Sequence, residues 1–290
     1  MKRPFKLGVI LLATQLLSAP TIAECQTIYK GSIYNLRTNE TIPYATVGLQ
    51  VENIGINADK NGYFELKSLK SLPNDTLIVS CLGYKVSKIG VNNISSEKTI
   101  IRLIEHSIKL SEITISNKSE NESDILNKFF KCDYTYTFSY TQLAQHFQAK
   151  QTNSKLVGIK ICQTAFGNEN KMCRYRLRVY SMDSITKAPL YDLYDKIIEI
   201  KVKNKVTLIN LKKYNINIPC NDFFIAVEWL LIPENEVKDT SKNSGSIKYL
   251  PIIGRTQRTN KTLEYWELNY QNKWNPYTQS TLLMQAIIKN

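Results

Sequence analysis

The sequence predicts an all-β protein built as two consecutive sandwiches, and three observations carry that expectation. Short runs of alternating apolar and polar residues recur along the chain, the period of half-buried strands. Pro, Gly, Asn and Asp separate those runs where an antiparallel sheet has to turn. The polar stretch 117–124, Asn117-Lys118-Ser119-Glu120-Asn121-Glu122-Ser123-Asp124, has no apolar period and divides the runs into two groups as a linker would. The domain organisation expected is therefore a leader over 1–23, a sandwich over 26–116, the linker over 117–124 and a second sandwich over 125–290.

The leader reads as a signal peptide. Lys2, Arg3 and Lys6 precede an apolar run from Leu7 to Leu17, and Ala23 closes the segment with the small side chain that signal peptidase prefers. Cys25 raises a lipidated alternative, but Glu24 stands where lipoprotein signals want a small residue. The apolar run falls short of the about 20 residues a membrane helix needs, and no later stretch reaches that length. An exported protein in the periplasm or at the outer membrane, with no transmembrane span after cleavage, is expected.

In the first sandwich, strands are expected at Tyr29 to Leu36, Tyr44 to Val51, Gly55 to Ala58, Tyr63 to Leu66, Thr76 to Leu82, Lys85 to Val91, Thr99 to Ile104 and Glu112 to Ile115. Pro43 is tolerated because a strand start needs no ladder donor. Asp59-Lys60-Asn61-Gly62 supplies a hairpin turn; the further ligands of a calcium loop are missing from it. In the second half, Ile125 to Phe130 and Thr141 to Gln148 carry apolar residues at helical spacing and suggest two short helices. About eight strands follow, from Leu156 to Ile288, and suggest a jelly-roll-like sandwich.

The pieces Gly31-Ser32-Ile33, Ile42-Pro43-Tyr44-Ala45-Thr46-Val47, Asp59-Lys60-Asn61-Gly62-Tyr63-Phe64 and Ser80-Cys81-Leu82-Gly83-Tyr84, in this order, resemble the carboxypeptidase-regulatory-like domain. This is a transthyretin-like sandwich of roughly seven or eight strands, common in envelope proteins of Bacteroidota. The resemblance covers about a third of the chain, departs from the family at Ala58 and Cys81, and implies an accessory fold without catalytic residues. By analogy it implies a free-standing accessory role, since no transporter barrel follows.

The chain carries 38 Lys and Arg against 25 Asp and Glu, a formal +13. Export sets nucleic acid aside; envelope proteins, anionic glycans or phosphates suit such a charge, and plain solubility also accounts for it. Six cysteines fit an oxidising compartment and lack Cys-x-x-Cys spacing. Cys162 and Cys173 flank Gly167-Asn168, a hairpin dipeptide that would set the two thiols opposite each other in register for a bridge; a slip in register removes it.

Neither histidine, His106 or His146, begins a His-x-x-Glu pair, so no zinc site, cofactor or enzymatic activity is expected. No nucleophile elbow or phosphate loop occurs. Glu228 beside Trp229 invites a hydrolase reading, but strand alternation sends the two to opposite faces. Arg174, Arg176 and Arg178 share one face of a strand, as a cationic ladder for carboxylates or phosphates, or as a solvated face beside Glu199 or Glu228. Tyr265, Trp266 and Trp274, with Tyr270 and Tyr277, lie among amides as a sugar platform would, or as ordinary packing. The function expected is a non-catalytic binding or assembly protein of the bacterial envelope, with glycan capture as the alternative and an unrecognised hydrolase behind it.

Overall fold

A computed structural model describes residues 27–70, 72–94, 99–106, 123–132, 141–164, 172–202, 204–238, 247–257, 264–278 and 280–290. The leader, Cys25, residues 117–122 of the linker, the strand expected at 112–115 and the Gly167-Asn168 turn lie outside them. The described residues contain no α-helix, and none of their helical turns is long and apolar enough to cross a membrane.

Among the described residues the first sandwich has seven strands: β1 (Thr27–Asn35), β2 (Thr46–Leu49), β3 (Ile54–Asn57), β4 (Tyr63–Ser68), β5 (Thr76–Ser80), β6 (Ser87–Gly90) and β7 (Thr99–Leu103). They form one sheet ordered β4-β1-β7 and another ordered β3-β2-β5-β6. β1 and β7 pair in parallel, and the other strand pairs among the described residues are antiparallel. Alternation along the strands sends Ile33, Val47, Leu49, Phe64, Leu66, Leu77, Val79, Ile101 and Leu103 into one core between the sheets. Each such side chain contributes about 1.5–3 kcal/mol on burial. The Asp59 turn is built as its residues require: Asp59 Oδ1 accepts the amides of Asn61 (2.8 Å) and Tyr63 (2.9 Å), and Gly62 takes φ +75°.

The second half adds β8 (Ser123–Leu126), β9 (Gln142–Gln148), β10 (Ser154–Thr164), β11 (Cys173–Met182), β12 (Pro189–Asp192), β13 (Ile198–Val202), β14 (Val206–Asn210), β15 (Ile216–Ile218) and β16 (Asp222–Trp229). After these come β17 (Glu236–Lys238), β18 (Ile247–Tyr249), β19 (Ile252–Ile253), β20 (Arg255–Gln257), β21 (Tyr265–Leu268), β22 (Trp274–Tyr277), β23 (Ser280–Leu282) and β24 (Met284–Lys289). A six-stranded sheet follows the path β14-β10-β24-β8, with β15 and β19 also on β10. A seven-stranded sheet follows β12-β11-β16-β9-β21-β22, with β13 also on β11. Ile159, Ile161, Met284 and Ile288 from the first meet Leu143, Phe147, Tyr175, Leu177, Phe223, Ile225 and Val227 from the second in the main core.

Several expectations need correction here. Gln142–Gln148 is a central strand rather than a helix, and Ser123–Leu126 is a strand where a helical turn and the end of the linker were expected. The two apolar rows of β9 explain the misleading spacing: Leu143 and Phe147 enter the inter-sheet core while Ala144 packs on the opposite face. A strand buried on both sides loses its period of two. Of the eight strands expected after Lys155, six lie close to their expected places, Ser246 to Ile253 and Leu282 to Ile288 are each broken in two, and β12, β15, β17, β20 and β22 were not anticipated. Cys162 is bridged to Cys132 (Cα–Cα 5.6 Å), not to Cys173. Its partner arrives from the segment after β8, a long-range placement that hairpin spacing does not encode.

The Cys132–Cys162 bridge spans 30 residues, a loop whose closure stabilises by about 3–4 kcal/mol in the chain-entropy account. Non-reducing peptide mapping is expected to recover Cys132 linked to Cys162, and Cys132→Ser to lower unfolding stability by about that amount. A Cys162–Cys173 peptide would contradict the topology.

Candidate functional site

On β11, residues 173, 175, 177 and 179 point into the inter-sheet core, so 174, 176, 178 and 180 line the opposite face. β16 does the same, burying Val227 and Trp229 in the core and presenting Ala226 and Glu228 beside the arginines. This outer face is covered. The first sandwich lies across it through its 43–44 and 80–86 loops and the β2–β3 hairpin.

Arg176 is 2% exposed. Its Nη2 donates to the Pro43 carbonyl at 3.2 Å, and its guanidinium stands 5.5 Å from the centre of the Tyr44 ring. Arg174 reaches the same ring from 5.9 Å, donates to the Tyr44 hydroxyl at 3.1 Å and pairs with Glu199 at 3.5 Å. Tyr44 itself takes φ +58°, a left-handed conformation that costs about 1 kcal/mol or more for a side chain of this size. Its contacts with the two arginines offset that strain. Asn57 Oδ1 accepts the Leu231 amide at 2.7 Å, and Asn53 Oδ1 accepts the Tyr270 amide at 3.2 Å. Gly48 and Gly55, paired across β2 and β3, leave room for the Tyr270 ring; a methyl on Gly55 would overlap that ring and the Val47 carbonyl.

Arg178 lies farther along the row. Its Nε and Nη2 form a fork on Asp192 (2.8 and 2.7 Å), and Nη1 lies 3.5 Å from Glu228 Oε1. Burial alone would lower the Arg178 pKa; the Asp192 and Glu228 carboxylates beside it oppose that, and the guanidinium stays charged. Tyr180 donates to Gln142 Oε1 at 2.7 Å and stands edge-on to Trp274, centroids 5.6 Å apart. Burial, then the nearby carboxylates, push its phenol well up.

Between these groups and the 80–86 loop lies a cavity of about 320 Å³. Its floor is Gln142, Arg178, Tyr180, Asp192, Glu228 and Trp274, and its other wall runs from Ser80 to Tyr84 with Val86 and His106. Gly83, at φ +82°, forms the bend of that wall, and its carbonyl accepts the His106 amide at 2.7 Å. Cys81 and His106 thus border one cleft, but burial pushes the Cys81 thiol up, with Arg176 opposing, and a protonated thiol is a poor nucleophile. Among the described residues no three His, Cys, Asp or Glu gather to hold a metal ion.

The sequence-expected residues are distributed unevenly around this cleft. Arg178 and Trp274 line it, and Arg174 and Arg176 form the seam beside it. The neighbours Glu199 and Glu228 were rightly anticipated, but the solvated face was not: the arginines are enclosed by the first sandwich. The flat sugar platform also needs correction. Tyr265 is fully buried in the inter-sheet core, and Trp266 is 6% exposed on the other face, so neighbouring positions on one strand cannot present a shared surface. Glu228 and Trp229 do point to opposite sides. Sequence reasoning missed Asp192, Tyr180, Gln142 and Tyr44. Tyr44 and the 80–84 loop belong to the motif pieces used for the family resemblance, and that was the available signal.

Because Arg176 is buried and donates to the Pro43 carbonyl, Arg176→Ala is expected to lower stability in urea unfolding by about 1.5–3 kcal/mol, the worth of a hydrogen bond made by a charged group. Tyr44→Phe, losing only the Arg174 hydrogen bond, is expected to cost about 1 kcal/mol. Equal, negligible effects would show that the seam carries no weight.

No curated protein matches the chain. Among solved structures, the cysteine protease and lectin-like domains of Cwp84, a surface layer associated protein of Clostridium difficile, align at 10% identity and a TM-score of 0.39, covering 91% of this chain and 58% of that one. The chain thus spans little more than half of that neighbour's length. The major pilin subunit BcpA* (D312A) of Bacillus cereus aligns at 10% identity and a TM-score of 0.21, over 89% of this chain and 68% of that one. A DUF3823 family protein from Bacteroides ovatus aligns at 10% identity and a TM-score of 0.20, over 89% and 97%. The family model that does match is the CarboxypepD_reg-like domain, over residues 29–115, so the N-terminal sandwich of this chain is similar to that domain.

Proposed function

We propose that this protein is an exported, non-catalytic binding or assembly component of the bacterial cell envelope, in the periplasm or at the outer membrane, with envelope proteins or glycans as its partners. Domain limits of 1–23 for a cleaved leader, 26–116 for the first sandwich, 117–124 for a linker and 125–290 for the second sandwich belong to the same proposal. The observation that carries the reading is the cleft between the sandwiches, whose walls come from both halves of the chain and whose floor is ordered by the Arg178–Asp192 fork. A recess built by two rigid elements presents fixed polar groups at little entropic cost on binding. The CarboxypepD_reg-like match supports an extracellular or envelope setting and a non-catalytic first domain.

Fractionation of the producing bacterium, followed by cross-linking, tests this. The mature chain is expected in the envelope fraction, cross-linked to an envelope component, and inert toward ester, peptide and glycoside substrates. Residence in the cytoplasm, or turnover abolished by Glu228→Gln, would contradict it.

A further inference from the structure

The outer face of the six-stranded sheet lies on the side of the second sandwich away from the joint, and apolar and cationic residues are interleaved on it. Ile159, Ile161, Ile209, Met284 and Ala286 point into the core, so the positions between them face outward. Ladder register sets Leu208 beside Lys160, and Ile125 beside Ile287. Leu208 is 66% exposed and Ile125 48%.

A strap crosses this face. After β8, residues 127–132 run over to β10, where Phe129 packs with Cys162 and Leu283 and Cys132 closes the bridge to Cys162. Lys160 Nζ stands 4.6 Å from the centre of the Phe129 ring. Between those two anchors Phe130 is held outward, 83% exposed, with Lys128 Nζ 5.2 Å from the centre of its ring. A phenyl ring tethered in water forgoes the burial that would stabilise it, and a surface that receives it recovers that contribution.

Charge decides what meets this face. Lys128 and Lys131 lie on the strap, Lys155 and Lys160 at outward positions of β10, and among the described residues none of the four pairs with a carboxylate. The segments that build the face, β8, β10, β14, β24 and the strap, contain one acid, Asp124, which is engaged by Lys150 and Asn290, both at 3.1 Å. A second copy of the chain would bring lysines against lysines. A small anion would leave Phe130, Leu208 and Ile125 in water. An acidic protein meets the lysines but needs a recess matched to Phe130, whereas a bilayer receives the ring anywhere. Headgroup phosphates meet ammonium groups while apolar side chains enter the boundary between headgroups and acyl chains.

We propose that the outer face of the six-stranded sheet, with its 127–132 strap, docks on an anionic phospholipid surface. Phe130 enters the bilayer boundary, and the four lysines meet the phosphates around it. The cleft, on the outer face of the other sheet, is then directed away from the bilayer, and the docking does not depend on what the cleft binds.

Co-sedimentation of the full mature chain with vesicles of phosphatidylcholine alone, and of phosphatidylcholine with phosphatidylglycerol, tests this. Binding is expected to the anionic vesicles only, and to fall as salt is raised. Phe130→Ser, Lys128→Gln and Lys131→Gln are each expected to weaken it about fivefold or more, with circular dichroism and the melting midpoint showing that each variant is folded. Ile185→Ser, at a residue 88% exposed in the β11–β12 turn of the other sheet, is expected to leave binding within about twofold. In Phe130→Trp, anionic vesicles are expected to shift the added indole emission to the blue, and brominated acyl chains to quench it. Equal binding to neutral vesicles, no binding to either kind, or a loss in Ile185→Ser as large as in Phe130→Ser would overturn the proposal. So would an envelope cross-link lost in Phe130→Ser from a chain that ignores vesicles, which assigns the face to a protein while leaving the envelope reading standing.

Discussion

The buried guanidinium of Arg176 is the constraint on which the rest of this structure depends. Removing such a charge from water costs several kcal/mol unless hydrogen bonds and countercharge replace the lost solvent. The second sandwich seats it on β11 opposite Glu228 of β16, and the first supplies the Pro43 carbonyl and the Tyr44 ring. The strand that carries the group belongs to the second sandwich, and the hydrogen bond and ring that meet it belong to the first. The outer face of the seven-stranded sheet is therefore one side of a joint, and the cleft exists because the joint is closed at the Arg176 end and open toward Trp274.

Aromatic and glycine placement reinforces that joint. Tyr270, in the β21–β22 turn, is 9% exposed and lies on the glycine pair of the first sandwich, where any side chain would hold the two surfaces apart. Asn53 and Asn57 at the ends of the β3 hairpin then accept backbone amides from the second sandwich. These contacts are short, polar and directional, and they fix the relative placement of surfaces that apolar packing alone would let slide.

The first sandwich was readable in the sequence because local chemistry determines it. Asp59 to Gly62 must turn, Gly31 sits where a side chain would meet Phe64 and the Thr99 carbonyl, and the alternation on both sides is that of strands with one buried face. The second was readable as β only in part. Leu143, Ala144 and Phe147 imitate a helical stripe because both faces of β9 are covered, one by the facing sheet and one by the outer cluster of Tyr180, Phe224 and Trp266. The arginine row displays a clean period of two, which sequence alone reads as a wet face. What covers a polar face is decided by another part of the chain, and periodicity holds no record of it. Cys132 and Cys162 follow the same logic, as do Asp192 and Arg178: each pair is set by sheet order rather than by spacing.

The central claim is that the two sandwiches are thermodynamically one body, coupled through the Arg176 seam. Differential scanning calorimetry of the mature chain tests this most directly. A single transition is predicted, with calorimetric and van't Hoff enthalpies in agreement. Two resolved transitions, with the N-terminal sandwich melting at a temperature indifferent to the rest of the chain, would contradict it.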